Sequence, residues 1–266
     1  MRPEVAAYLA RLHDVPGWFP ELDFRLLDFL LDGQRPGDLL EIGAYRGASA
    51  TLLGLHQREG ETFTVCDLFE TPATVEDNRA ESEQYAGLTR SAFERWYLMF
   101  VAELPTIVQA SSLEIVTHVR PRSCRLIHVD GCHLYDYVRS DIDASSILAL
   151  EDGIVVFDDW RSPQTPGVTA AVLERVVVDE LHPVAITPSK LYGSWNAEAA
   201  TAHRGAVRAW AESAPGIELD VQSVRGLEWP RLWEATQPSA ATKALFLLRN
   251  PQLLRARLAR ASRWPA

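Results

Sequence analysis

Three cysteines in 266 residues are too few to frame a fold. Cys66, Cys124 and Cys132 form no metal-ligand spacing and cannot all pair, so neither a zinc site nor a disulfide framework is implied. Long apolar runs are missing as well; none approaches the ~20 residues that a membrane span needs. The N-terminus, Met1-Arg2-Pro3-Glu4, lacks the basic segment and apolar core of a signal peptide. The expectation is a cytoplasmic chain with no membrane span. Positive charge is also scarce: 26 Lys and Arg face 36 Asp and Glu, for a net charge of −10. That balance argues against a general nucleic-acid binder, because phosphate neutralisation needs clustered cations. One stretch runs the other way. From Lys243 to the end the chain is basic without acids, with Leu253, Leu254 and Leu258 at helical spacing. It reads as a solvated helix with a basic face, with a membrane-surface or partner helix as the alternative. Internal repeats and low-complexity tracts are absent too.

What the chain has is alternation. Strand-like segments fall at Asp38–Ile42, Thr62–Asp67, Thr106–Ala110, Arg125–Asp130 and Gly153–Asp158. Helical patterns lie between them, near Ala48–Glu59, Ser91–Glu103, Tyr135–Leu150 and Gly167–Val178. Strands alternating with helices predict right-handed βαβ units and a parallel sheet covered on both faces. A hairpin-like pair, Pro183–Thr187 and Lys190–Trp195, follows around Pro188-Ser189. Residues 1–36 precede the first strand as an N-terminal helical cap, and Trp18 and Phe19 within them could pack over the sheet or roof a pocket. Residues 71–105 exceed a simple crossover; with Tyr85, Phe93, Trp96, Tyr97 and Phe100 they read either as a lid or as a core-packed helix. Residues 37–200 form the main domain, and 201–266 a C-terminal helical extension.

The first strand ends in Glu41-Ile42-Gly43-Ala44-Tyr45-Arg46-Gly47-Ala48-Ser49. An acid, two glycines and a helix of small residues suit a nucleotide-type ligand, with close backbone approach at the glycines and helix amides aimed at it. The dinucleotide fingerprint G-x-G-x-x-G does not fit, since its later glycines would fall on Tyr45 and Ala48. The motif E-x-G-x-x-x-G resembles motif I of the class I S-adenosylmethionine-dependent methyltransferases. Asp67 closes the second strand, where an acid can accept hydrogen bonds from both ribose hydroxyls. Glu41 would orient the loop or reach the amino-acid portion of the ligand, with Ser49 beginning the helix beside it. Ser111-Ser112 end the third strand near an adenine edge.

Chemistry concentrates further on. Ile127-His128-Val129-Asp130-Gly131-Cys132-His133 is followed by Phe157-Asp158-Asp159-Trp160. A D-x-x-H step leaving one strand and a D-D pair ending the next gather three carboxylates and an imidazole around one point. Asp130, Asp158 and Asp159 suit a hard divalent ion, Mg²⁺ or Mn²⁺. Coordination would lower the pKa of an acceptor hydroxyl, and His133 could then take its proton. His128 lies within its strand and reads as core or as support for the site.

From Asp38 to about Trp195 the chain resembles the metal-dependent sugar O-methyltransferases, of the macrocin and mycinamicin type and of the methylmannose-saccharide type. The resemblance implies a Rossmann-like, doubly wound, mostly parallel seven-stranded sheet with an antiparallel strand near its C-terminal end. It assigns Glu41, Gly43, Gly47, Ser49, Asp67, Ser112 and Asp130 to S-adenosylmethionine and Asp130, Asp158 and Asp159 to the metal. His133 and Asp130 carry catalysis. Many relatives have a second acid where this chain has Cys132. The implied activity is methyl transfer to a hydroxyl of a saccharide-type small molecule, by a chain that could form a homo-oligomer. A catechol-type acceptor gated by Trp18, Trp160 and Trp195 is the nearest alternative. An NAD-dependent oxidoreductase or a non-catalytic S-adenosylmethionine-binding module are the others.

Overall fold

A computed structural model of the chain describes residues 1–73, 88–178 and 180–235. The strands β1 (Asp38–Ile42), β2 (Phe63–Cys66), β3 (Thr106–Val108), β4 (Cys124–Val129) and β5 (Ala149–Phe157) pair in parallel. The predicted hairpin is present as β6 (His182–Ile186) and β7 (Leu191–Ser194), with β7 antiparallel to β5. The order is β3-β2-β1-β4-β5-β7-β6-β9-β8, so strands are added in one direction up to β3 and in the other from β4, with the switch between β1 and β4. That switch opens a crevice beyond the carboxyl ends of those two strands.

Among the described residues the sheet has nine strands rather than the seven expected, because the segment read as helical extension contributes two. Helix α7 (Ala197–Ser213) is followed by β8 (Ile217–Val224) and β9 (Leu227–Glu234). Ile217, Leu219 and Val221 alternate with Glu218, Asp220 and Gln222, which is a strand period. Arg225 and Gly226 both take positive φ, 53° and 80°, as a two-residue hairpin turn demands.

Alternate strand residues feed two cores. Leu39, Leu126, Ile154 and Val156 face one layer, made of α1 (Pro3–Leu9), α2 (Glu21–Gly33), α3 (Ala48–Leu55), α4 (Arg90–Tyr97) and α7. Leu40, Ile42, Ile127, Val129, Val155 and Phe157 face the other, made of α5 (Tyr135–Leu148) and α6 (Pro166–Val177). Near-continuous apolar strands are what a sheet buried on both faces requires. The N-terminal cap is anchored here: Val5 and Tyr8 are fully buried, and the Tyr8 hydroxyl donates to the Ala48 carbonyl at 2.6 Å. Of the stretch 71–105, the described part packs Phe93 and Tyr97 into the core. The rest of the expected lid, with Tyr85, and the basic segment from Lys243 lie outside the described residues. No helix among the described residues is long and apolar enough to cross a membrane.

Candidate active site

The first element of the site is backbone. Gly43 adopts φ +79°, and a Cβ there would lie 2.0 Å from the Asp130 carbonyl oxygen. Only glycine lets the loop leaving β1 press against the loop leaving β4. Gly47, at φ +87°, caps α3 in the left-handed conformation and turns the chain into the helix. Asp67 fixes this loop from β2. Its Oδ2 accepts the Ala44 and Tyr45 amides at 2.8 and 3.1 Å, and its Oδ1 the Phe69 amide at 2.7 Å. Burial pushes its pKa up, against these three amides, which favour the carboxylate.

Behind the loop runs a buried polar chain. Glu41 is fully buried; its Oε1 accepts the Ser49 hydroxyl and faces His128 Nδ1 at 2.9 Å. His128 Nε2 lies 3.4 Å from the Lys190 ammonium. An ammonium can only donate, so Nε2 accepts and the ring proton sits on Nδ1, donated to Glu41. Lys190 is itself fully buried and pairs with Asp158 Oδ2. Nothing in the sequence pattern marked Lys190, because a lysine after Pro188-Ser189 in a hairpin reads as a solvated turn residue.

The Asp158-Asp159 pair is split. Asp159 takes a left-handed φ of +54°, so its side chain leaves in another direction from that of Asp158. Asp158 turns to Lys190, whereas Asp159 Oδ2 lies 3.4 Å from His133 Nε2. Among the described residues, Asp130, His133 and Asp159 bring ligand atoms within 4.8 Å of one another, and so do His128, Asp130 and Asp158. Asp130 belongs to both groups. Burial, then the neighbouring Asp158 charge, raises its pKa well above the usual carboxylate range. Asp159 is raised by the same causes in the same order. For Asp158 burial also pushes upward, but the adjacent Lys190 ammonium outweighs it and holds the carboxylate low.

These groups line one cavity of about 1090 Å³. Gly43, Tyr45, Ser49 and Asp67 form one part of its wall, Ser111 and Ser112 another, and Asp130, Cys132, His133, Asp158, Asp159 and Lys190 a third. Glu41 lies behind the wall and reaches the cavity through Ser49. Trp18 and Phe19 of the N-terminal cap complete the lining, and Trp18 is 78% exposed, with its ring 6.0 Å from that of Tyr45. The other tryptophans considered as gatekeepers lie elsewhere. Trp160 is buried against Trp229, and Trp195 packs on the core beside α5 and α6.

Residues 40–160 match a methyltransferase-domain family. No curated protein matches the chain by sequence. The O-methyltransferase NovP superposes with a TM-score of 0.51 at 18% identity, covering 70% of this chain and 79% of its own. CalS11, a TDP-rhamnose 3'-O-methyltransferase of calicheamicin biosynthesis, gives 0.43 at 17% identity, over 73% and 96%. The NovP superposition establishes the class I methyltransferase fold, with its mostly parallel sheet and antiparallel strands near the C-terminus.

Proposed function

On this methyltransferase domain, we propose that the chain transfers a methyl group from S-adenosylmethionine to a hydroxyl of a saccharide-type small molecule, with help from a divalent cation. One observation carries the reading: a single cavity runs from the glycine loop and Asp67 to the acid and imidazole cluster. A cofactor at one end and an acceptor oxygen at the other would meet across Asp130.

The residues divide the work by position. The loop leaving β1, whose Ala44 and Tyr45 amides are held by Asp67, would let the cofactor approach closely at its glycines, and Asp67 keeps lone pairs for the ribose hydroxyls beyond those given to the loop. Ser111 and Ser112 stand where the adenine edge would lie. Asp130 and Asp159 would hold Mg²⁺ or Mn²⁺; their hard oxygens, close spacing and excess negative charge fit such an ion. Once bound, the cation would acidify an acceptor hydroxyl coordinated to it. His133 then receives the hydroxyl proton while the oxygen attacks the methyl carbon. The C–O bond forms, the C–S bond breaks, and the sulfonium leaves as a neutral thioether. Trp18, broad and exposed at the cavity mouth, offers a face on which a sugar ring can stack.

The test is a methyl-transfer screen with radiolabelled S-adenosylmethionine against mono- and oligosaccharides and catechols, with and without EDTA. Transfer to saccharides that EDTA abolishes is expected. Transfer to catechols alone would replace the acceptor class, and full activity after exhaustive chelation would remove the cation.

A further inference from the structure

The acid cluster already contains a cation. Lys190 Nζ pairs with Asp158 Oδ2, lies 3.4 Å from His128 Nε2 and sits 5.7 Å above the Phe19 ring. Its backbone is clamped as well: the Thr187 amide donates to the Lys190 carbonyl and the Lys190 amide to Thr187 Oγ1, both at 2.9 Å. Two further acids, Asp23 and Asp130, act on its charge, and Asp23 already accepts Tyr192 and Ser189 hydroxyls at 2.7 and 2.9 Å. A divalent ion that took Asp158 would leave a buried ammonium without its carboxylate, which is among the costliest states a protein interior can hold. Asp159, turned away by its left-handed backbone, has no such commitment.

We infer that Lys190 is a resident counter-cation occupying the Asp158 arm of the cluster. A divalent ion entering the crevice is therefore held by Asp130 and Asp159, and it reaches Asp158 only in competition with Lys190. This rests on the cation reading above and changes its ligand set: two acids serve the ion and the third serves the lysine. The apo site stays partly neutralised, so cation affinity is set lower than three free carboxylates would give.

Mn²⁺ binding to the full chain, followed by electron paramagnetic resonance of the free ion, tests it in wild type, Lys190→Met and Lys190→Met/Asp158→Asn. Freeing Asp158 should tighten Mn²⁺ binding by at least ~10-fold in Lys190→Met, since a close carboxylate joins the site and a close positive charge leaves it. The double variant removes one charge of each sign and should return to within about threefold of wild type, because the arm is again neutral. Should Lys190→Met fail to fold, the charge-balanced double variant decides alone. Wild-type-like binding by it supports the inference, and loss of Mn²⁺ overturns it by making Asp158 a ligand in the native site. A Lys190→Met protein that binds no more tightly than a tight-binding wild type also overturns it and leaves the cation reading standing. Absence of Mn²⁺ binding in all three proteins overturns both.

Discussion

The two ends of the sheet both bury charge, and they do so in opposite ways. At the amino end Arg125 is 1% exposed, yet every arm is met. Its Nε and one terminal nitrogen reach the two Glu61 oxygens at 3.0 Å each, and the Leu31 and His56 carbonyls take further donors at 3.1 and 2.7 Å. Glu61 in turn accepts the Gly37 and Arg58 amides, both at 2.9 Å. At the carboxyl end Asp130, Asp158 and Asp159 crowd together with Lys190 as their buried cation. Charge that is matched in sign and hydrogen-bonded throughout holds strands together. Charge left in excess beside a cavity costs stability unless a ligand arrives, which is the signature of a working site.

The sharpest way to break this comparison is to neutralise one acid at each end. Asp130→Asn should cut methyl transfer by roughly 10³-fold or more, since Lewis-acid assistance is worth several kcal/mol. Its melting temperature should stay level or rise, because like-charge repulsion is relieved. Glu61→Gln should do the reverse, costing about 3–5 kcal/mol of stability by orphaning a buried arginine, with turnover preserved at temperatures where the protein stays folded. Parallel melting curves and rate measurements check both. A destabilised Asp130→Asn would mean that the carboxyl end is also a structural network.

His133→Gln tests the base within the same end. A positioned base contributes about 10²–10⁴-fold, so kcat should fall by that much with Mn²⁺ and cofactor binding retained. The wild-type rate should climb with pH as an imidazole loses its proton, and the variant should lack that limb. An unchanged pH profile would hand the proton to a carboxylate or to solvent.

These sites differ in how far the sequence disclosed them. The bounds of β1 were legible because Asp38–Ile42 is apolar enough to be buried on both faces and ends at a glycine that only a turn would use. Gly43, Asp67, Asp130 and His133 were legible because strand ends and short spacings are local. Two things were not. Lys190 meets Asp158 across 32 positions, and its burial depends on a hairpin folding back over the Phe19 ring. The Asp158-Asp159 pair reads as one double ligand, and only the left-handed backbone at Asp159 reveals two separate partners. The β8–β9 hairpin was hidden differently: the alternation of β8 is present, but its residues are exposed or only half-buried, which gives the pattern little contrast.

Asp141 sharpens the comparison from a third place. It is fully buried on α5, and burial raises its pKa to about 7. A raised carboxyl is stabilising while protonated, so its contribution is complete below the unfolded value and is lost as pH rises through about 7. Asp141→Asn should thus gain stability relative to wild type between pH 5 and pH 8, by roughly 3 kcal/mol for the two units up to about 7 at 1.36 kcal/mol per unit. Chemical denaturation at the two pH values checks it; a pH-independent difference would mean the carboxyl stays ionised when buried. The smallest effect is expected at the rim. Trp18→Ala should raise the acceptor KM by several-fold to about tenfold, the worth of a stacked aromatic face, with cofactor affinity unchanged. A fall in cofactor affinity instead would move Trp18 to the other half of the cavity.

The central claim is that the excess charge and the glycine loop serve one methyl-donor site. Isothermal titration of the wild-type chain with S-adenosylmethionine, S-adenosylhomocysteine and NAD tests it directly, with Asp67→Ala alongside. Binding of the first two and none of NAD is predicted, weakened in Asp67→Ala by about 1–3 kcal/mol as polar partners lose their acceptor. Tight NAD binding without any for S-adenosylmethionine would contradict it.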